Sequence, residues 1–468
     1  STSGLVRSNP VELRDAWERM RKSKPDYFEV SDEQRWNWLL RALTDEPEPA
    51  GYRWGMEMIR SWLAALTPLP PGVASESYTV GERISNACLF IRHTCGNWEK
   101  IPQDISAVLQ FMAVSLSQKI EYHDDELTGN HVINNSRALL FAGHCCQNPD
   151  LVTLGRAVLG ERLPILLKDG GFLKEGSSHY QWLLTRWMLE IRMLANEKKD
   201  HETLSIIEPV LPGLVNSCLF FKVRGEHGDT CLPTIGDVSP DCDPYWLIDL
   251  PESSLAQFEG DVYQHRTSLR GWASLFTQWK ANFIIRSDYS SKNSPYWNAK
   301  PDAGWYRLDY GGWVAIWHAE SSTGSRIATH AHHDLCSFVL YRNGKEILID
   351  PGRNDYGDSG FGQYGVEAFS HNNVCLNGRP PMLSQGDRLL PALYRQASCL
   401  VSIQERKEGV RVRIQHDGFQ RLRAGIITHT RDFIFTPHKL EIRDCFEGNG
   451  RHWMECHSQR PAPATSRD

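Results

Sequence analysis

The chain has 468 residues, of which 41% are hydrophobic and 23% charged, and its formal net charge is −6. This length exceeds what one hydrophobic core usually organises, so the sequence predicts two or three domains. The composition is ordinary for a globular protein, and the negative charge argues against nucleic acid as a partner. No run of about 18 apolar residues occurs, so no membrane-spanning helix is predicted.

Two features bear on the compartment. The first ten residues, STSGLVRSNP, lack the charged and apolar regions of a signal peptide, and their small polar start is expected of a processed or cloned end. The twelve cysteines are scattered without a CxxC pair. This pattern predicts mostly free structural thiols and argues against a disulfide-built secreted scaffold.

Residues 10 to about 285 show helical periodicity, with apolar residues at three- and four-residue spacing. The segments with this spacing are VELRDAWERMRK, DEQRWNWLLRALT, RWGMEMIRSWLAAL, DISAVLQFMAVSLSQKIEYH, NNSRALLFAGHCC and HYQWLLTRWMLEIRMLANE. Proline and glycine clusters separate them. Long antiparallel helices joined by short loops predict a helical bundle or an α/α toroid.

The periodicity changes to two after a polar stretch at 287–304, as in CSFVLYR, KEILID and GVRVRIQH. Asn343-Gly344 between two such segments predicts a two-residue hairpin turn. Helices followed by strands predict a helical domain, a bundle or an α/α toroid, at 1–286, a linker at 287–304 and an antiparallel β-sandwich domain at 305–468.

Several metal-competent side chains fall at the open end of this hairpin. His330, His332 and His333 precede its first strand, and Asp350 closes the second strand, which the hairpin register brings alongside. His371 begins another predicted strand. Histidine nitrogens and a carboxylate oxygen suit zinc, with room for a fourth partner. The alternative is that these are strand-end polar residues satisfied by backbone groups.

His330 has a separate interpretation. If His332 is a ligand, alternation along the chain places His330 on the same side as an unligated imidazole. A histidine titrates near neutral pH, so His330 is a candidate base or acid.

Two stretches of the helical half carry matching groups. Asn130-His131 precedes a helix, where Asn130 could serve only as a helix cap. Tyr180 begins a tryptophan-rich helix, where a tyrosine is commonly a packing residue. Together with His330, these residues suit removal of the C5 proton of a uronic acid. The amide and imidazole of Asn130 and His131 would stabilise the developing enolate-like charge. His330 would be the base, and Tyr180, with an ordinary pKa near 10, would protonate the O4 leaving group.

The motifs GNH, EGSSHYQ, HAHHDLCSFVLYRNGKEILIDPG and SHNNVCLNG occur in this order. Over residues 80 to about 450 the chain resembles the heparinase II/III-like superfamily of polysaccharide lyases, which includes oligoalginate lyases. The resemblance implies an α/α toroid followed by an antiparallel β-sandwich. It also implies an acidic polysaccharide or oligosaccharide as substrate and a periplasmic or secreted location.

The resemblance also implies roles for individual residues. Asn130 and His131 would neutralise the uronate carboxylate, with Tyr180 and His330 as the other catalytic residues. The implied zinc ligands are His332, Asp350 and His371, a spacing that disfavours His333. The residues assigned to substrate binding are Glu175, Arg353, Tyr356 and Tyr364. Arg353 has an equal alternative as half of a strand-end salt bridge.

The sequence departs from the superfamily in one respect and leaves other points open. The β region, about 165 residues, is shorter than in many relatives, which leaves the shape of the groove open. Some relatives bind calcium or no metal. Oligomeric state is not predicted.

Three alternatives to the lyase remain. A uronyl C5-epimerase would remove the same proton. A glycoside hydrolase would need two carboxylates, for which Glu175 and Asp334 are available. A non-catalytic carbohydrate-binding protein would need no acid and no base.

Overall fold

The structure is a computed structural model. It describes residues 34–45, 49–66, 72–98, 100–123, 128–251, 255–259, 269–275, 281–286, 295–319, 330–353, 356, 364–381, 399–422, 426–449 and 453–461. The helix predicted in VELRDAWERMRK and the first eight residues of the predicted linker lie outside these ranges.

The helices lie almost entirely before residue 221, whereas the periodicity predicts helices to about residue 285. They are α1 (Asn37–Asp45), α2 (Pro49–Leu66), α3 (Ser77–Cys95), α4 (Gln103–Ser117), α5 (His131–Cys145), α6 (Pro149–Leu166), α7 (Ser178–Lys198), α8 (His201–Ile207), α9 (Leu211–Phe220) and the short α10 (Trp272–Leu275). Helix α4 is shorter than its pattern predicts. It ends at Ser117 because the N–H of Gln118 bonds to the carbonyls of Ser115 and Leu116, which tightens the last turn.

A closed ring of buried charges joins three of these helices. Arg137 of α5 contacts Glu82 of α3 at 2.8 Å and Glu190 of α7 at 2.7 Å. Arg186 of α7 contacts the same two glutamates, each at 3.0 Å. All four side chains are essentially inaccessible to solvent, so losing any one would leave an uncompensated buried charge. The ring therefore fixes how α3, α5 and α7 pack, and with them the helix starts that carry Asn130 and Tyr180.

Strands dominate the second half. The strands of the two large sheets are β7 (Tyr296–Lys300), β8 (Trp305–Tyr310), β9 (Trp313–His318), β10 (Phe338–Arg342), β11 (Lys345–Leu348), β13 (Cys399–Arg406), β14 (Gly409–His416), β15 (Ile426–Phe435) and β16 (Leu440–Gly448). The larger sheet has the order β11-β10-β9-β8-β7 and the next has the order β13-β14-β15-β16, both antiparallel throughout.

The remaining strands form short two-stranded sheets. They are β1 (Leu167–Lys168), β2 (Phe172–Leu173), β3 (Val223–Arg224), β4 (Thr230–Cys231), β5 (Leu255–Glu259), β6 (Ala281–Arg286), β12 (Val374–Leu376) and β17 (Met454–Cys456). The pair β5 and β6 is parallel.

The two large sheets share one hydrophobic cluster. Trp317 and Phe338 of the first sheet pack with Ile414 and Phe433 of the second. The predicted hairpin is confirmed: β10 pairs with β11 across Asn343 and Gly344, whose φ angles are 49° and 83°. The fold is thus mixed helix and largely antiparallel sheet. A closed toroid, a β-sandwich and the domain boundaries stay predictions.

Two further expectations can be compared with the structure. All twelve cysteines are free thiols. In the described part of the chain, no single helix has the length and apolar character to cross a membrane. The bent pair α8 and α9 meets that criterion only when the two helices are counted together.

Two glycines allow the helical and strand-rich halves to meet closely. At Gly176, with φ 72°, a Cβ atom would lie 2.5 Å from the Cβ of Ala331. At Gly236, with φ 79°, it would lie 2.5 Å from the Gly176 carbonyl oxygen and 2.8 Å from that of His330. Any side chain at either position would therefore push the histidine segment away from the helical half.

Candidate active site

The imidazole of His330 is surrounded by groups from three separate segments. Its Nδ1 lies 2.9 Å from an Asp237 carboxylate oxygen, and its Nε2 lies 3.3 Å from the Asn130 amide nitrogen. Its ring stacks on that of Tyr180. Because an ionised carboxylate only accepts hydrogen bonds, Nδ1 carries the hydrogen and Nε2 presents its lone pair to the Asn130 amide. This tautomer leaves a basic nitrogen beside an amide donor and a phenol.

Asp237 orients two histidines, and the sequence motifs did not identify it. One carboxylate oxygen bonds to His330 and the other to His332 Nε2, each at 2.9 Å. Burial opposes ionisation of this carboxyl, but the two hydrogen bonds outweigh burial and lower the pKa of Asp237 to about 2. The residue follows Gly236 in the glycine- and proline-containing stretch LPTIGDVSPDCDP. An acid in such a connection at the end of the helical half is the only sequence signal that points to it.

Asn130 stands at the N-terminus of α5, but its side chain makes no capping hydrogen bond. Its backbone N–H donates to the Glu175 carboxylate, and its side-chain amide is directed to His330. A helix-capping role therefore does not explain the side chain, which belongs to the cluster around His330.

His131 lies beside this cluster and is closer to solvent. Its Nδ1 is 2.6 Å from a Glu121 carboxylate oxygen, and its ring centroid is 4.5 Å from that of Tyr78. Nearly half of its side chain is exposed. His131 is therefore reachable by a ligand at the rim, while Asn130 is buried behind it.

Tyr180 lies at the start of α7, where Ser177 caps the helix by accepting the Tyr180 N–H. Its hydroxyl is 2.9 Å from the hydroxyl of Tyr356. Burial raises the pKa of the Tyr180 phenol, although the charge of Arg35 and the hydrogen bond with Tyr356 oppose the change. Tyr180 is therefore protonated at neutral pH and can donate that proton.

The four residues assigned to substrate binding occupy different positions. Glu175 is fully buried; its Oε2 lies 3.5 Å from His330 Nε2 and has no hydrogen-bond partner. Burial raises the pKa of this carboxyl, with the charges of His330 and His131 opposing the change. Arg353 stacks over the Tyr356 ring at 4.8 Å and approaches Asp237 at 3.7 Å.

Tyr364 is set apart from that group. It is partly exposed, and its ring contact is with Phe369 at 5.5 Å. The structure thus brings Glu175, Arg353 and Tyr356 up to the His330 cluster and places Tyr364 farther along the chain.

The three predicted metal ligands also come together. His332, Asp350 and His371 are buried, and their potential ligand atoms all lie within 4.8 Å of one another. His332 Nδ1 and His371 Nε2 are buried without hydrogen-bond partners, which a bound cation would satisfy. Two imidazoles and a carboxylate match the donor preference of zinc. His333 lies outside this group, with its Nδ1 3.7 Å from Glu367.

The second carboxylate considered for hydrolysis is engaged elsewhere. Asp334 is buried and lies 3.2 Å from His318 Nδ1. Glu175 is likewise buried against the protein. The geometry therefore does not present the two acids on opposite sides of a cleft, which hydrolysis requires.

Comparison with known proteins places this arrangement in context. Residues 293–465 match the family model described as "Heparinase II/III-like, C-terminal". A crystal structure of heparinase III has a TM-score of 0.62 and 16% identity, covering 92% of this chain and 65% of its own. A second heparinase III structure has a TM-score of 0.56 and 13% identity, covering 98% and 73%. A mutant of the heparan sulfate lyase HepC from Pedobacter heparinus has a TM-score of 0.51 and 13% identity, covering 96% and 71%.

No curated protein sequence matches the chain significantly. At these identities the structural similarity establishes a shared fold and nothing more specific. The chain spans a little under two thirds of the length of the first heparinase III structure. The family model and the shared fold agree with the motifs found in the sequence. Over residues 293–465 the chain is thus similar to the heparinase II/III-like family, and its fold is similar to that of heparinase III.

Proposed function

We propose that this protein is a polysaccharide lyase that cleaves a uronic-acid-containing polysaccharide by β-elimination. The observation that carries the proposal is the convergence of three groups: the His330 Nε2 faces the Asn130 amide at 3.3 Å, and its ring stacks on Tyr180. An amide donor, a basic nitrogen and a protonated phenol are the groups that this reaction needs.

Each group has a defined part in the reaction. Asn130 donates a hydrogen bond to the uronate carboxylate, and His131 does so through Nε2 in its protonated form, since its Nδ1 hydrogen is held by Glu121. These bonds stabilise the negative charge that develops as the C5–H bond breaks. His330 Nε2 accepts the C5 proton. The electron pair then forms the C4–C5 double bond, the C4–O4 bond breaks, and the Tyr180 hydroxyl protonates O4.

Asp237 supports His330 during this transfer. Its carboxylate holds the Nδ1 hydrogen, so Nε2 is available as the base, and its charge stabilises the imidazolium that forms. With a pKa of about 2, Asp237 stays ionised over the whole working range of pH.

The metal group fits a zinc ion held by His332, Asp350 and His371. When bound, zinc would supply positive charge and tie the histidine segment to the start of β12. His332 bonds to Asp237, which bonds to His330, so the position of the base depends on the same segment.

The substrate class follows from the chemistry and from the relatives. The reaction requires a uronate linked through O4, and one similar structure is described as a heparan sulfate lyase. Heparan sulfate, alginate and hyaluronan all offer a uronate, and we take an acidic polysaccharide of this kind as the partner.

The test is a panel of these three polymers followed by ultraviolet absorbance and mass spectrometry. A lyase gives products with an unsaturated uronate at the new non-reducing end, and the Tyr180→Phe variant should form them at a rate lower by roughly 100-fold or more. Saturated new non-reducing ends would indicate hydrolysis instead. Entry of solvent deuterium at C5 without cleavage would indicate an epimerase, and either result would overturn the proposal.

A further inference from the structure

Exposed aromatic side chains continue from the candidate site along the segment that follows β11. Tyr356 is 39% exposed, Tyr364 38% and Phe369 45%. We call these three residues together with His457 the aromatic row. A single exposed aromatic residue is ordinary on a protein surface, but several exposed aromatic residues on one segment, two of them in contact, indicate a binding surface.

The inner end of the aromatic row touches the catalytic group. The Tyr356 hydroxyl lies 2.9 Å from that of Tyr180, and Arg353 covers the Tyr356 ring. Beyond Arg353, a Cβ atom at Gly365 would lie only 3.1 Å from the Arg353 Cβ. The backbone that carries Tyr364 therefore passes directly alongside Arg353.

The rings at the outer end of the aromatic row lie close to one another. The Tyr364 and Phe369 ring centroids are 5.5 Å apart, and those of Phe369 and His457 are 6.5 Å apart. The Phe369 carbonyl accepts a hydrogen bond from the side chain of Gln459. The row is thus held in place by the C-terminal segment, while its rings remain open to solvent.

The charges along the row differ between its ends. Arg353 supplies a cation near the reacting uronate, whereas the Glu455 carboxylate lies 3.7 Å from His457 at the outer end. Carboxylates repel an acidic sugar, so the outer end is unsuited to binding a uronate through its charge. Aromatic rings bind the apolar C–H face of a sugar without needing charge, which is a contact these rings can make.

We propose that Tyr364 and Phe369 form an outer subsite that binds a sugar ring of the same polysaccharide chain by stacking, away from the cleaved linkage. The inference rests on the proposed function, because a polymer whose reacting ring lies against Asn130, Tyr180 and His330 must leave the site over a neighbouring surface. The aromatic row begins at Tyr356, in contact with that site.

The test compares long and short substrates. Phe369→Ala and Phe369→Leu are assayed on the polymer of the panel that the wild type cleaves fastest, and on the shortest oligosaccharide of it that the wild type cleaves. We expect both variants to raise KM for the polymer about three- to tenfold, the loss of one aromatic contact. KM for the oligosaccharide should change little, because that substrate does not reach the subsite.

Phe111→Ala is the matched control. Phe111 is 64% exposed on α4, so it has the same chemistry at a place unconnected to the row, and its replacement should leave both KM values unchanged. The dependence of KM on ionic strength distinguishes a stacking contact from a contact between charges. The KM ratio of Phe369→Ala to wild type should stay constant as ionic strength rises, whereas that of Arg353→Ala should fall.

Two results would overturn the outer subsite: an unchanged KM for the polymer in both Phe369 variants, or an equal rise for the oligosaccharide. Thermal unfolding of each variant shows whether it is folded. If the wild type cleaves no polymer, the proposed function is wrong, but the outer subsite can still be tested by binding. Affinity electrophoresis in gels containing heparan sulfate, alginate or hyaluronan then judges the subsite separately, since Phe369→Ala should migrate faster than Phe111→Ala.

Discussion

The ring of His330 stacks on the ring of Tyr180, with centroids 3.7 Å apart and an interplanar angle of 11°. Tyr180 begins a helix of the first half of the chain, and His330 precedes a strand of the second. The two side chains meet only because the connection between them folds back, with Asp237 bonded to His330. An acid and a base that lie side by side can serve neighbouring atoms, C5 and O4, of one sugar ring.

The first prediction concerns Tyr180→Phe. The substitution removes only the hydroxyl, so the proton donor to O4 is lost while the ring still stacks on His330. We expect kcat to fall by roughly 100-fold or more, the usual range for removing a general acid. Substrate affinity should be nearly unchanged, and stability should fall by about 1 kcal/mol with the lost hydrogen bond to Tyr356. Wild-type turnover in this variant would remove Tyr180 from the mechanism.

The second prediction concerns Asp237→Asn. The amide is isosteric but no longer fixes the hydrogen on His330 Nδ1, so the tautomer with a basic Nε2 is no longer enforced. We expect kcat to fall by roughly 10³- to 10⁴-fold, as when the carboxylate behind a catalytic histidine is removed. Asp334→Asn is the control, since Asp334 holds another buried histidine, His318, outside this group. Equal losses of activity in the two variants would show that Asp237 has only a structural role.

Motifs in the sequence predict the proposed catalytic residues, whereas Asp237, which orients His330, is recognised only from its contacts in the folded chain. The hairpin turn at Asn343-Gly344 is encoded by two adjacent residues, and its register places Asp350 near His332. Asn130 and Tyr180 were identified because each begins a helix within a recognisable motif. Asp237 belongs to no such motif, and nothing local shows that Gly236 lets this loop pack against the His330 carbonyl.

Glu175 illustrates the same limit. Its motif suggested contact with substrate, whereas the structure places its carboxylate beneath Asn130 and beside His330. Sequence spacing indicates that a residue is near a site, but burial decides which side of the site it occupies. A direct contact of Glu175 with substrate stays a prediction.

The third prediction concerns the metal group. We expect about one zinc per chain in protein purified without chelators. Because metal binding adds to the free energy of folding, His332→Ala should lower both the metal content and the temperature of unfolding. His333→Ala should retain the metal, since His333 lies toward Glu367. Chelator should destabilise the wild type and leave His332→Ala unaffected; the same metal content in His332→Ala and wild type would contradict the assignment.

The fourth prediction comes from a buried histidine pair between β14 and β15. His416 Nδ1 accepts the Gly418 N–H, so its Nε2 carries a hydrogen and donates to His429 Nδ1 at 2.9 Å. His429 Nε2 then donates to Asp444 at 2.8 Å. Both rings are neutral in this chain of bonds, and an additional proton on either ring would place two donors face to face.

The pKa values of His416 and His429 are both lowered, which agrees with two neutral rings. Burial, together with the charges of His429 and Arg431, lowers the pKa of His416 well below its usual range. Burial also lowers the pKa of His429, although Asp444 opposes the change. The unfolded chain takes up protons at these histidines near pH 6.5, whereas the folded chain takes them up only at lower pH. The stabilisation is therefore complete above about pH 6.5 and is lost as pH falls below it, at about 1.4 kcal/mol per pH unit for each histidine.

Urea unfolding measured from pH 8 to pH 5 checks this expectation. His416→Gln keeps an acceptor for Gly418 and a donor for His429 but cannot take up a proton. The dependence of its free energy of unfolding on pH below 6.5 should therefore be shallower than that of the wild type by about one proton. His438→Gln is the control, because His438 is exposed at the turn before β16 and should leave the slope unchanged. Parallel profiles for wild type and His416→Gln would show that the buried pair does not set the acid sensitivity of the fold.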